Sequence, residues 1–471
     1  MPPATPRTLE LPLDSRKVVA LVGIRRSGKT YLLFETMRRL EATGVDRRQL
    51  VYLNFEDDRL LPIQVRELDV ILRAHEELYP EVSGRRKYLF FDEVQSVPSW
   101  ETYLRRLHDT EDARLFVTGS SSHLLSRELA TGLRGRSVSF EVFPLSFAEF
   151  LRFRRLEHQP YARASESRMA SALEEYLQTG GLPEVVLADE SMRPRILKEY
   201  VDLVFYRDLV ERYRIGNPLV MRLLLRHCLG HPASLFNVHT LYQDFRSQGQ
   251  ALSKDTLYSY LGYLEQSFVV FPLPVAERSL RKQAVNPKKL HAIDWALAYP
   301  FVAEPSIDVG KKLETAVFLH WRRQREDLGY LAGDREVDLV VNRDRPEHLI
   351  NVAYSVSASQ TWMREITALE EAAARFPRAK RVLVAHEHTT RKPPAGIRVA
   401  DAWRYLLASP TTPGACRHLP ASASSACAVR RGRRWAAWSQ NPPRAIAVPE
   451  AVERRDARCA EENADPRNRG R

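Results

Sequence analysis

An α/β fold that begins with a parallel sheet is predicted by three features of the sequence. Lys17–Val22 is a short apolar run of the kind that forms a buried parallel strand, and it leads directly into the octet Gly23-Ile24-Arg25-Arg26-Ser27-Gly28-Lys29-Thr30. Behind the octet, Leu32, Leu33, Thr36, Met37 and Leu40 keep helical spacing, so the loop opens a helix. A second apolar run, Tyr88–Phe91, ends in the acidic pair Asp92-Glu93.

The octet satisfies every fixed position of the phosphate-binding loop, G-x-x-x-x-G-K-[S/T]. Glycines let backbone N–H groups wrap phosphates, and the helix N-terminus adds its partial positive charge. Gly23, Arg25, Arg26, Ser27, Gly28, Lys29, Thr30 and the following Tyr31 are therefore candidate nucleotide contacts. Lys29 is expected to reach the β and γ phosphates, and the Thr30 hydroxyl to ligate Mg2+. Asp92 fits the second place in the metal shell, and Glu93 is positioned to orient or deprotonate an attacking water.

Leu50–Phe55 and Arg114–Ser120 fit the same sheet. The second run ends in hydroxyls, so Thr118 and Ser120 are candidates for sensing the γ phosphate or holding the water. A turn rich in small polar residues is the equal alternative. Leu133-Arg134-Gly135-Arg136 offers two guanidinium groups, the chemistry that stabilises a transferring phosphoryl group in cis or in trans. Arg134 and Arg136 are thus candidate catalytic residues, against the alternative of a solvated loop.

The stretch from about Arg168 to Ile215 reads as helices, interrupted by Thr179-Gly180-Gly181-Leu182-Pro183. A helical pair from about His239 to Gln266, followed by the strand-like Phe268–Phe271, has the order of a winged helix-turn-helix. Its second helix starts at the N-cap candidate Ser253 and is expected to expose Lys254, Tyr258 and Ser259. DNA and a protein partner are both open as its target, since the module carries few cations.

From Asp308 onward the order is helix (310–325), strands at 329–331, 336–341 and 349–354, a helix, and a strand at 381–385. This resembles the PD-(D/E)XK nuclease core, in which an acid on the first helix, an Asp on the second strand and a [D/E]xK on the third hold Mg2+. Glu314 and Asp338 match the first two places. The third reads Asn351-Val352-Ala353, which lacks both carboxylate and lysine. Phosphodiester hydrolysis of this type needs a stable divalent ion, so the domain is expected to be inactive, and the remaining acids have a plain alternative as surface charges.

These elements divide the 471 residues into a P-loop domain (1–155), a helical and winged-helix-like region (156–275), a nuclease-like α/β domain (276–408) and a tail (409–471). The tail is rich in Ala, Arg, Pro and Ser and cannot bury enough apolar area to offset its ordering entropy, so it reads as disordered. Its 12 Arg against 6 acids supply half of the net charge of +12, which leaves the preceding residues only mildly basic. The 4 cysteines form no CxxC pair, which argues against a disulfide scaffold or a zinc ribbon. No secretory signal or long uncharged apolar run is evident, so the expected location is the cytoplasm.

With these residues in hand, the chain resembles the prokaryotic AAA-type P-loop ATPases that carry a C-terminal domain of unknown function. The likeness rests on the P-loop octet, Phe91-Asp92-Glu93-Val94-Gln95, Thr118-Gly119-Ser120-Ser121-Ser122, Phe143-Pro144-Leu145-Ser146-Phe147, Gly180-Gly181-Leu182-Pro183-Glu184 and Glu336-Val337-Asp338. The resemblance implies ATP binding, a sheet with an additional strand, and a catalytic glutamate that falls on Glu93. The expected activity is ATP hydrolysis coupled to rearrangement of the C-terminal domains. The alternative is a nucleotide-gated DNA-binding or scaffolding switch with slow hydrolysis, and an oligomer is compatible with either.

Overall fold

The computed structural model describes residues 5–408, except 61, 120–131, 158–162, 251, 280, 282, 284–285, 302–307, 334 and 388–390. Ser120 and the tail expected to be disordered lie outside the described residues.

The first sheet contains β1 (Val18–Val22), β2 (Leu50–Asn54), β3 (Lys87–Asp92), β4 (Ala113–Gly119) and β5 (Ser137–Glu141), in the order β2-β3-β4-β1-β5 and parallel throughout. Every residue of β1 and β3 is buried, as a parallel strand covered on both faces requires. Three helices accompany the sheet: α1 (Lys29–Ala42), α2 (Asp69–Leu78) and α3 (Trp100–Thr110). Because β4 lies between β1 and β3, the carboxyl ends of these three strands sit side by side, where open α/β sheets bind ligands. This is the α/β architecture of a P-loop nucleoside triphosphatase domain.

A helical region follows: α4 (Phe147–Phe153), α5 (Arg163–Thr179), α6 (Pro183–Leu187), α7 (Arg193–Leu203), a π-helical stretch (Val204–Glu211) that continues α7, and α8 (Pro218–Gly230). Next come β6 (Ser234–Phe236), α9 (Val238–Ser247), α10 (Lys254–Gln266), β7 (Val270–Leu273) and β8 (Lys288–Ala292). The three strands form an antiparallel sheet in the order β6-β8-β7. The central strand β8 lies beyond the boundary expected at 275, so the sheet and the sequence-based division do not coincide.

The last sheet contains β9 (Leu328–Leu331), β10 (Val337–Val341), β11 (His348–Ala353), β12 (Lys380–Ala385) and β13 (Ile397–Asp401). Its order is β13-β12-β11-β10-β9, antiparallel from β9 to β11 and parallel from β11 to β13. Helix α11 (Val309–Arg322) precedes it, α12 (Ser359–Arg375) joins β11 to β12, and α13 (Ala402–Leu407) follows β13. The helix and strand order expected after Asp308 is present, with β13 and α13 added.

The segment after β5 knits these regions together. Leu145 N–H donates to Gly181 O at 2.6 Å, and the Tyr176 hydroxyl donates to Leu145 O at 2.8 Å. A Cβ on Gly181 would lie 2.6 Å from Leu145 O, so this close approach admits only glycine. Asp294 accepts from Gly181 N at 2.7 Å and Ala296 N at 2.9 Å, and burial raises its carboxyl to about 6 despite these donors. From the C-terminal side, Arg322 meets Glu141 at 2.8 Å and Arg323 donates to Pro144 O at 3.0 Å. Among the described residues, no helix is long and apolar enough to cross a membrane.

Candidate nucleotide site

The octet turns sharply out of β1. Gly23 has φ 151°, and a Cβ there would lie 2.4 Å from Val142 O. Gly28, the residue before α1, has φ 97°, a left-handed conformation that glycine adopts without steric penalty. Lys29 is 5% exposed, and its Nζ donates to the carbonyls of Gly23 and Ile24, both at 3.0 Å. Burial lowers the pKa of this ammonium, while the charges of Glu93 and Asp92 oppose the shift. Thr30 is half-buried in the first turn of α1, and Tyr31 is exposed.

The loop is braced by residues far away in sequence. Tyr200 of α7 donates its hydroxyl to Arg25 O at 2.6 Å, and Arg7 Nη1 donates to Ser27 O at 2.7 Å. Arg7 also donates to Phe143 O at 2.8 Å and pairs with Glu149 at 3.0 Å. The two loop arginines face acids of the helical region: Arg25 Nε lies 3.0 Å from Asp208, and Arg26 Nη1 lies 2.8 Å from Glu184. The Ser27 Oγ is fully buried without a hydrogen-bond partner, which leaves a polar atom inside the phosphate loop for a ligand to satisfy.

Beside the loop, Asp92 ends β3 and is 2% exposed. It accepts from the Tyr52 hydroxyl at 3.0 Å and from the Thr118 hydroxyl. Burial and the neighbouring Asp92 raise the Tyr52 phenol well above its usual range, so it remains a donor. Thr118 also accepts from the Glu93 backbone N–H at 2.9 Å, so one hydroxyl on β4 links both acids. Glu93 takes a left-handed conformation with φ 52°, and Gln95 Nε2 donates to its carboxylate at 2.5 Å. Sequence reasoning missed Gln95, Arg7, Tyr200, Asp208 and Glu184 as neighbours of the site.

Arg134 and Arg136 do not join this constellation. Arg136 precedes β5, whose first residue pairs with Val18 at the opposite end of β1, roughly 15 Å from the loop along the strand. Arg136 is bound to Asp109 at 2.9 Å, and Arg134 is exposed in a turn at the same end. Neither can act in cis on a nucleotide at Lys29.

The acids of the last sheet are also not surface charges. Glu314 of α11 is 5% exposed, and it shares a cluster with Glu336 and Asp338. Lys289, 1% exposed on β8, fills the cluster with Nζ at 2.6 Å from Glu314 and 3.0 Å from Asp338, and it also contacts Glu336. Burial disfavours its charge, but the three carboxylates outweigh that and raise its pKa far above normal. Asn351 donates to Glu365 at 2.7 Å, and Asp338 accepts from Val352 N at 2.8 Å.

A P-loop at the carboxyl end of β1, with an acidic strand end two strands away and a hydroxyl strand end between them, defines an AAA-type nucleotide-binding domain. Residues 15–151 match the family described as AAA domain, and residues 170–304 match a domain of unknown function, DUF8612. The uncharacterized protein MJ1544 of Methanocaldococcus jannaschii is 35% identical over 378 residues, covering 78% of this chain and 81% of that protein. The chain belongs to the family of P-loop proteins that includes MJ1544. An uncharacterized protein of Haemophilus influenzae is 27% identical over 346 residues, covering 73% of this chain and 84% of its own length. Among solved structures, the Walker-type ATPase PABY2304 of Pyrococcus abyssi has a TM-score of 0.41 at 16% identity, covering 61% of this chain and 91% of that one.

Proposed function

We propose that the protein is a Mg2+-dependent ATPase that passes its nucleotide state to the helical and C-terminal regions. The observation that carries this reading is the Thr118 hydroxyl, which ties Asp92 to the Glu93 backbone beside the Lys29 loop. The donor set fits the ligand: glycines at positive φ, an unsatisfied buried Ser27 hydroxyl, an ammonium, and the oxygen ligands Thr30 and Asp92 that suit a hard divalent cation. Bound Mg2+ would neutralise charge on the phosphates, with Thr30 and Asp92 as its protein ligands. Lys29 exchanges its loop carbonyls for phosphate oxygens. Glu93, steadied by Gln95 and by Thr118, accepts the proton of the attacking water. In a turnover assay with ATP and Mg2+, Glu93→Gln is expected to lower the rate about a hundredfold and to preserve binding. An unchanged rate would remove Glu93 from the chemistry.

A second reading, a nucleotide-gated switch on DNA, is favoured by one feature. The order α8-β6-α9-α10-β7-β8 is that of a winged helix, and Lys254, Tyr258 and Ser259 are exposed on α10. It predicts DNA affinity that differs between ATP and ADP and falls steeply with salt. We assign no nuclease activity to the last sheet, because the Lys289 ammonium occupies the space between its acids and Asn351 and Ala353 stand at the remaining places.

A further inference from the structure

We propose that Asp208, on the π-helical stretch Val204–Glu211, holds the P-loop's Arg25 at rest and releases it to the terminal phosphate of a nucleoside triphosphate. By this exchange the helical region distinguishes triphosphate from diphosphate. The proposal rests on the nucleotide-binding reading of the octet and adds a positioning residue that lies outside every motif.

Three observations support it. First, the contact is built: Arg25 Nε lies 3.0 and 3.1 Å from the two oxygens of Asp208, a carboxylate that is 3% exposed. The Nη atoms of Arg25 lie 3.5 and 3.4 Å from the exposed Glu56, so Asp208 is the buried anion on this guanidinium, and a phosphate would compete with it for the same donors. Second, the electrostatics make the competition direct. Asp208 interacts with Lys29 as well as Arg25, and Arg25 also senses Glu93, so the carboxylate already lies in the field that would attract phosphates. A bound triphosphate introduces further negative charge there, and like charges in a low-dielectric site repel strongly.

Third, the fold supplies an alternative partner. Arg212, one turn along, has Nη1 3.7 Å from Asp208, so a released carboxylate has a second guanidinium within reach. The surrounding segment is π-helical, a rare geometry found frequently at functional sites. The same helical region grips the loop at two more points, Tyr200 on Arg25 O and Glu184 on Arg26. Movement of Arg25 therefore acts on residues 183–211 directly, and this segment lies within the domain of unknown function matched at 170–304.

The test is calorimetric titration of the full chain with Mg2+ and either ATP or ADP. Asp208→Asn removes the competing charge and is expected to tighten ATP binding about tenfold while changing ADP binding little. Adding Arg25→Ala should abolish that gain, because the competition then has no object. In the unaltered protein, hydrogen exchange over 183–211 should be faster with ATP than with ADP. Equal effects of Asp208→Asn on both nucleotides, or none, overturn the proposal. Should Asp208→Asn fail to fold, Arg25→Gln serves instead: it must weaken ATP more than ADP, and an unchanged ratio overturns the proposal. Lys29→Ala separates the two levels. If it binds nucleotide as the unaltered chain does, the nucleotide-site reading itself is wrong. If it loses binding while the ATP-to-ADP ratio ignores Asp208, only the proposal made here fails.

Discussion

The phosphate loop and the last sheet of this protein each have a lysine beside a group of acids, and the two lysines are used in opposite ways. Lys29 donates to carbonyls of its own loop, while Asp92 and Glu93 are held by the neutral donors Tyr52, Thr118 and Gln95. Lys289 instead donates to Glu314 and Asp338 and contacts Glu336, and Lys311 lies 3.1 Å from Glu314, so these acids are largely paired within the chain. The difference lies in what remains for a ligand. Neutral donors fix the first pair of acids without cancelling their charge, which suits them to a cation and a water. Internal ammonium groups, Lys289 at the centre and Lys311 at 3.1 Å from Glu314, offset much of the charge of the second cluster and make it a buried ionic junction between β8, α11 and β10.

The largest effect should come from breaking that junction. Lys289→Ala leaves buried acids uncompensated and is expected to destabilise the fold by about 3–5 kcal/mol, measured by urea denaturation. The same variant sharpens the comparison, since the cluster vacated by the ammonium should become able to hold a divalent cation. Mn2+ is expected to raise the melting temperature of Lys289→Ala and to leave the parent protein unchanged. If Mn2+ stabilises both equally, the ammonium does not block the cluster.

The wall of the first site gives the next effect. Burial pushes the Glu149 carboxyl up, but Arg7 and the backbone N–H groups of Thr8 and Ser146 outweigh it and lower it from 4.5 to about 2. A depressed carboxylate stabilises the fold above its unfolded pKa, and that contribution disappears as pH falls through the folded pKa. The contribution, about 3 kcal/mol, should therefore be complete above pH 4.5 and fade toward pH 2. Arg7→Ala should flatten this part of the stability–pH curve. An unchanged curve would mean that Arg7 does not hold Glu149, and its support of the Ser27 carbonyl would be doubtful as well.

A smaller effect is expected where the regions meet. Gly181→Ala forces a methyl to within 2.6 Å of Leu145 O, and the resulting shift should cost about 1–3 kcal/mol in thermal or chemical unfolding. A neutral substitution would show that the segment after β5 can yield, and that the first sheet and the helical region are less tightly joined than this contact indicates.

The sequence made the nucleotide site legible where the chemistry is local. A strand, a glycine loop and a helix must be contiguous to form a phosphate cradle, so the octet announces itself, and Asp92-Glu93 follows from a strand that ends in acids. Thr118 was readable because it ends a strand of the same sheet. The partners of the loop were not readable, because Arg7, Tyr200 and Asp208 reach it only through tertiary packing, from as many as 183 residues away in the case of Asp208. Lys289 was missed for a related reason. The run Lys288–Ala292 alternates too weakly to read as a strand, and only its pairing with β6 and β7 carries the ammonium to Glu314. Arg134 and Arg136 lie at the far end of the sheet from the loop of their own chain, which residue type and loop setting do not reveal, and the alternative of a role in trans is untouched by this.

The central claim is that the Gly23–Thr30 loop binds a nucleoside triphosphate through Lys29. Calorimetric titration of the parent chain and Lys29→Ala with ATP and Mg2+ tests it most directly. The account predicts saturable binding by the parent and a loss of at least about a hundredfold in affinity when the ammonium is removed. Binding of equal strength in both proteins, or no heat from ATP or GTP with the folded parent, would contradict it.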